Sequence, residues 1–168
     1  MLAYFDCFSG ISGDMTLGAL IDLGVPIKWL KEALEGVPLK GFDLSVTAVS
    51  RGGISANIVR VQVEDDSESR NFAEIVSLIE KSPLSGRVKK MSLEIFEKIA
   101  VAEARIHDCL KEDVHFHELG GIDALVDIVG TALCLEYLGI GKVIASRLPL
   151  GTGLFSSQHG PLPVPAPA

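Results

Sequence analysis

Hydrophobic positions along this chain change period several times, and each change marks a structural element. Leu2–Phe8 is a short apolar run of the kind that forms a buried strand. Ser9-Gly10-Ile11-Ser12-Gly13 then turns the chain into a helix expected from about Asp14 to Leu23, with Ser12 as its N-cap and Gly24 as its stop. Pro26 suits a first helical turn, and Ile27, Leu30 and Leu34 stripe a second helix. The period next drops to two: Phe42, Leu44, Val46 and Ala48 share one face, Arg51-Gly52-Gly53 makes a turn, and Ile54, Ala56 and Ile58 return. Thereafter the phase slips to Val59, Val61 and Val63, for which a bulge near Ile58 is the expected cause. Residues 42–64 therefore predict a β-hairpin.

Helical spacing resumes with Phe72, Ile75, Val76 and Ile79, ended by Ser82-Pro83. Val88, Met91, Ile95, Ile99, Ala102 and Ile106 define a longer helix, whose neighbouring stripe carries Phe96, Ala100, Glu103 and His107. Residues 110–121 read as a loop. Ile122, Val126, Val129, Leu133 and Tyr137 give another helix, with Asp123, Asp127, Gly130 and Cys134 along its side. A strand is expected over 142–150. Beyond it, prolines at 161, 163, 165 and 167 are expected to keep the chain out of any ladder or helix, in extended polyproline geometry. The fold class is α+β: a small mixed or antiparallel sheet including the hairpin, packed by five or more helices. Residues 1–153 make one domain, and 154–168 a proline-rich tail leading toward a further, C-terminal domain.

Composition narrows the function. Hydrophobic residues are 48% of the 168 and charged residues 22%, enough for a real core. A net charge of −7 argues against nucleic acid and against anionic membranes, both of which select clustered Lys and Arg. The most apolar stretch, 128–145, is broken by Glu136, Lys142 and three glycines, so no membrane span is expected. Cys7, Cys109 and Cys134 are too scattered for a disulfide framework and are expected to be small buried apolar residues. The opening residues lack the basic start of a signal peptide, which makes the cytoplasm the expected location.

Candidate chemistry concentrates in residues 114–127, Val-His-Phe-His-Glu-Leu-Gly-Gly-Ile-Asp-Ala-Leu-Val-Asp. His115 and His117, two apart, project to the same side of an extended backbone. Asp123 and Asp127, four apart, stack on one helix face, where like charges repel unless a cation joins them. Imidazole and carboxylate together are ligands for a divalent transition metal, although an acidic surface with two loop histidines is the plain structural alternative. Glu103 and His107 also stand one helical turn apart, and His159 lies in a Gly-Pro turn. Ser9, Gly10, Ser12 and Gly13 precede a helix N-terminus that can face an anion, without being a Walker loop. Asp6, near the end of an apolar strand, is expected to need a partner or a metal.

Four segments carry a family resemblance: Tyr4–Met15, Val114–Gly130, Leu148–Gly153 and His159–Ala168. Together they resemble the LarC family, the nickel insertion proteins of the nickel-pincer cofactor pathway. The resemblance implies an enzyme that places nickel into pyridinium-3,5-bisthiocarboxylic acid mononucleotide, forming one carbon–nickel and two sulfur–nickel bonds while CTP is hydrolysed to CMP and pyrophosphate. The product serves lactate racemase. Family members are usually more than twice this long, and their CTP- and manganese- or magnesium-binding part resembles a C-terminal domain not found here. Read with the resemblance, His115, His117, Asp123 and Asp127 are expected to hold nickel, with His107 or His159 completing the site. Glu118 or Glu103 would accept the ring proton, and Ser9, Gly10, Ser12 and Gly13 would cradle the nucleotide phosphate. The expected partner is the C-terminal domain, in the same protein or as a separate chain, without which the piece is expected to be inactive; a homo-oligomer is compatible. Two competing functions fit the same donors: a metal-dependent hydrolase of a phosphorylated small molecule, and a non-catalytic nickel chaperone.

Overall fold

A computed structural model of the chain describes residues 1–39, 41–63, 70–116, 121–157 and 160–164. Within them the α+β class holds, but the strands form three separate pairs rather than one sheet. Strand β1 (Leu2–Phe5) is followed by helices α1 (Gly13–Asp22) and α2 (Ile27–Glu35). The hairpin β2 (Phe42–Arg51) and β3 (Ile54–Val63) comes next, then α3 (Phe72–Lys81) and α4 (Gly86–His107). A single 3-10 turn at Lys111–Asp113 leads to α5 (Ile122–Tyr137) and to β4 (Lys142–Ala145), which lies parallel to β1. The last pair is antiparallel, β5 (Gly153–Ser157) with β6 (Gly160–Val164).

The core forms where every helix contributes its apolar stripe. Leu17 and Leu20 of α1, Leu30 and Leu34 of α2, Ile75 and Ile79 of α3, Phe96 of α4 and Leu125 and Val129 of α5 are all buried with Leu44 and Val59 of the hairpin. Helix α3 carries a capping box that the apolar spacing did not announce: Asn71 accepts from the Glu74 N–H at 2.9 Å, and the Glu74 carboxylate accepts from the Asn71 N–H at 2.8 Å. The hairpin turns through Gly52 and Gly53 at φ of 59° and 81°, conformations glycine adopts freely and a tight two-residue turn requires.

Several expectations are corrected. The hairpin has no bulge: its register runs unbroken from Phe42↔Val63 to Arg51↔Ile54. Asn57, not Ile58, continues the inward face with Val59, Val61 and Val63, while Ile54 at the tip is 74% exposed. The phase slip therefore marks where the hairpin outruns the core. On α4 the stripe that faces inward is Val88, Ser92, Phe96 and Ala100, because Phe96 packs its ring 6.1 Å from that of Phe116. Ile106 of the expected stripe is exposed.

The first strand is shorter than expected and only half-buried, and the strand expected over 142–150 ends at Ala145. Cys109 is exposed, whereas Cys7 and Cys134 are buried. Alternating prolines do join a ladder, pairing Pro161 with Ser156 and Pro163 with Leu154. Successive backbone groups of a strand point to opposite edges, so Pro161 and Pro163, two apart, can share the outward edge and leave the inward donors intact. Among the described residues no helix is long and apolar enough to cross a membrane.

Candidate functional site

Helices α1 and α5 meet more closely than side chains normally permit. A Cβ built on Gly13 would lie 2.5 Å from the Asp127 Cβ and overlap its carboxylate, so only glycine fits opposite Asp127. One turn further on, a Cβ on Gly130 would stand 3.1 Å from Leu17 Cδ2. The contacts advance in the same direction along both helices, so α1 and α5 run the same way, with the start of α1 beside the second turn of α5. The side stripe of α5 is thus the face laid against α1. A third glycine, Gly18, holds α1 against the hairpin, where a Cβ would meet the Asn57 carbonyl at 2.7 Å.

This seam gathers three carboxylates. Asp14 lies in the first turn of α1, Asp123 in the first turn of α5, and Asp127 between the helices. Asp14 Oδ1 accepts hydrogen bonds from the Ser12 hydroxyl and from the Met15 N–H. Asp123 is exposed. Asp127 is half-buried, and its Oδ1 is enclosed with no hydrogen-bond donor among the described residues. Burial foremost, then the charges of Asp14 and Asp123, pushes the Asp127 carboxyl up to about 6. Each helix N-terminus contributes roughly half a positive charge. Asp14 and Asp123 are exposed and screened by solvent, so the uncompensated charge of the seam lies chiefly on Asp127.

The histidines are placed by other elements. Val114 and Phe116 are buried, so the alternating backbone turns His115 outward. This segment is tethered to the start of α3: the Phe72 N–H donates to the Val114 carbonyl at 3.2 Å and the Phe116 N–H to the Arg70 carbonyl at 3.4 Å. At the end of α4, His107 Nε2 lies 3.3 Å from Glu103 Oε2, with both side chains partly exposed. His117, Glu118 and His159 lie outside the described residues.

Among the described residues, no three His, Cys, Asp or Glu side chains stand together as a group able to hold a metal. What is present is looser: the charges of Asp14 and Asp123 act on Asp127 without the three converging on one point, and Glu103 stands beside His107. Around the first turn, Ser9 and Ser12 are exposed and Gly10 adopts φ of 89° as its N–H donates to the Cys7 carbonyl at 3.0 Å. Any anion bound at Gly13 would face Asp127 directly. Asp6 is exposed, so solvent meets its charge and neither partner nor metal is required of it. Asp14 is expected at the start of the first helix with no part in the site, because nothing local in the sequence signals that its charge acts on an aspartate 113 residues later. Cys134, further along the same face of α5, is pushed up to about 12 by burial and is a packed, unreactive thiol.

Comparison with known proteins bears on what this arrangement serves. A family model described as "Nickel insertion protein" matches residues 3–168. A protein of Geotalea uraniireducens (strain Rf4), named "Putative nickel insertion protein", is 52% identical over 169 residues, covering 99% of this chain and 43% of the relative. One of Syntrophobacter fumaroxidans with the same name is 51% identical over 166 residues, covering 99% of this chain and 42% of the relative. A protein of Acetivibrio thermocellus, 46% identical over 176 residues and likewise covered to 43%, is named "Pyridinium-3,5-bisthiocarboxylic acid mononucleotide nickel insertion protein". The chain therefore spans less than half the length of these relatives. No solved structure matches it. By the match across nearly all of its length and the identity to these relatives, the chain belongs to the nickel insertion protein family.

Proposed function

We propose that this chain receives nickel at the α1–α5 seam and takes part in inserting it into pyridinium-3,5-bisthiocarboxylic acid mononucleotide, as the N-terminal part of a cytoplasmic cyclometallase. The observation that carries the reading is Asp127 pressed against Gly13, with a buried carboxylate oxygen that has no partner among the described residues. It joins two of the four segments that bear the family resemblance, residues 4–15 and 114–130. Nickel would supply the missing positive partner. Asp127 and Asp123 would be its anchoring ligands, with His115 and His117 arriving from the extended segment and His107 or His159 completing the set. Oxygen and imidazole donors hold nickel weakly enough to surrender it to the two thiocarboxylates of the substrate.

Forming a carbon–nickel bond at the pyridinium ring displaces a ring proton. Glu118 or Glu103 would take it; Glu103 already sits beside His107 on α4. The nucleotide phosphate would meet Ser9, Gly10, Ser12 and Gly13 only with a cation between it and the carboxylates of Asp14 and Asp127, because like charges face each other there otherwise. CTP hydrolysis, with its manganese or magnesium, is assigned to the part of the relatives this chain does not cover. No Gly-Lys-Ser/Thr triphosphate loop occurs in these residues. The product would mature lactate racemase.

Calorimetric titration with Ni²⁺ tests the metal reading. One nickel per chain is expected, weakened at least tenfold by Asp127→Asn; unchanged affinity in that variant refutes the seam as the site. Incubation with nickel and the thiocarboxylated nucleotide, with the rest of the family's chain supplied separately, tests insertion. Product formed only when both parts are present supports the reading. Phosphate-ester turnover by this chain alone would favour a hydrolase, and tight nickel binding indifferent to the nucleotide would favour a chaperone.

A further inference from the structure

Parallel strands occur almost only in sheets covered on both faces. The pair β1–β4 departs from that rule. Its inner face sets Ala3 and Phe5 on the core, but Leu2 and Tyr4 point the other way and are 53% and 60% exposed. In register with Tyr4, Ile144 of β4 is also exposed. A groove of about 470 Å³ runs along β1 and α1, and its α1 side presents Ile11, Met15 and Leu23, all exposed. Among the described residues β1 pairs with β4 alone. The Ser146 N–H donates to the Phe5 carbonyl, so by alternation the main-chain groups of Leu2 and Tyr4 face the open edge.

A two-stranded pair is marginal by itself, and an uncovered apolar edge invites a further strand. The family supplies material for one: relatives match 99% of this chain yet are more than twice its length, so over half of their residues must pack somewhere beyond it. We propose that the open edge of β1 and the adjoining groove receive an apolar β-strand from that remaining part of the family's chain, completing the sheet by strand addition. The inference rests on the reading that this chain works together with the remainder. It places the second part on the outer face of the same β1–turn–α1 unit whose far end presents Gly13 to Asp127.

Hydrogen–deuterium exchange tests it, comparing this chain alone with the full-length Geotalea uraniireducens relative. The Tyr4 amide and its aligned counterpart are the probes. Exchange at least a hundredfold slower in the full-length protein is expected, and equal rates overturn the proposal. Sedimentation of this chain over rising concentration excludes the other occupant, with Tyr4→Lys compared against Ile54→Lys at the exposed hairpin tip. A monomer throughout is expected. A dimer dispersed by Tyr4→Lys and not by Ile54→Lys would give the edge to a second copy and overturn the proposal. Neither readout involves nickel, so this inference and the metal reading fail separately.

Discussion

The α1–α5 seam and the Val114–Phe116 segment position functional groups by opposite means. In the segment, hydrophobic burial sends Val114 and Phe116 inward, and His115 is left exposed. In the seam, a carboxylate is itself pushed inward against backbone, with acidic neighbours and no donor to its buried Oδ1 among the described residues. The first arrangement stabilises the fold; the second costs stability that the surrounding packing must supply. Groups held at such a cost mark functional sites more often than groups displayed for free. The comparison therefore ranks Asp127 above His115 as the element to test.

The largest effect is expected on the segment. Phe116→Ala removes a fully buried ring that packs against Phe72 and Phe96, and should cost about 3–5 kcal/mol in urea unfolding. A cost under 1 kcal/mol would show that the segment is held by its backbone tethers instead. Next, Gly13→Ala should destabilise by roughly 1–3 kcal/mol, because the new methyl displaces the whole Asp127 side chain. The double variant with Asp127→Gly should recover most of that loss, and additive costs would break the claimed contact.

Asp127→Asn should have the opposite sign. A carboxyl raised to about 6 when folded binds its proton more tightly than in the unfolded chain, so its contribution is favourable below the ordinary value of 3.8. That contribution is lost as pH climbs through about 6. In the metal-free protein the amide should therefore gain roughly 1–2 kcal/mol at pH 7, after discounting for partial solvent screening. The gain should vanish near pH 3, as urea midpoints across that range would record. A destabilised amide variant at pH 7 would mean that Asp127 has an attractive partner in the seam. Smallest of all, Glu103→Gln should shift stability by under about 0.5 kcal/mol, the usual worth of a one-turn pair on a helix. A much larger shift would make the end of α4 a second strained site.

Periodicity makes the helices and the hairpin legible in the sequence. Leu30 with Leu34 and Ile75 with Ile79 are buried as their spacing implies, and Gly52-Gly53 turns where the alternation breaks. Failures came where two readings shared one local pattern. Phe96 and Ile95 lie on adjacent stripes, and only the ring of Phe116, twenty residues on, selects between them. Alternating prolines signal polyproline geometry in isolation and a viable edge strand once β5 lies beside them. In the site, the Glu103–His107 pair was readable because it depends on two residues one helical turn apart. What Gly13 was for could not be read. A glycine before a helix suits a phosphate as well as a close-packed neighbour, and spacing is silent about residues more than a hundred positions away.

Local physics thus set this protein's inventory: which stretches coil, which extend, and which side chains carry nitrogen and oxygen donors for a metal. Tertiary packing alone brought Asp127 onto Gly13 and left the outer face of β1 uncovered. Backbone preferences act over a few residues, whereas shape complementarity and the cost of enclosing a charge are defined only once distant segments meet.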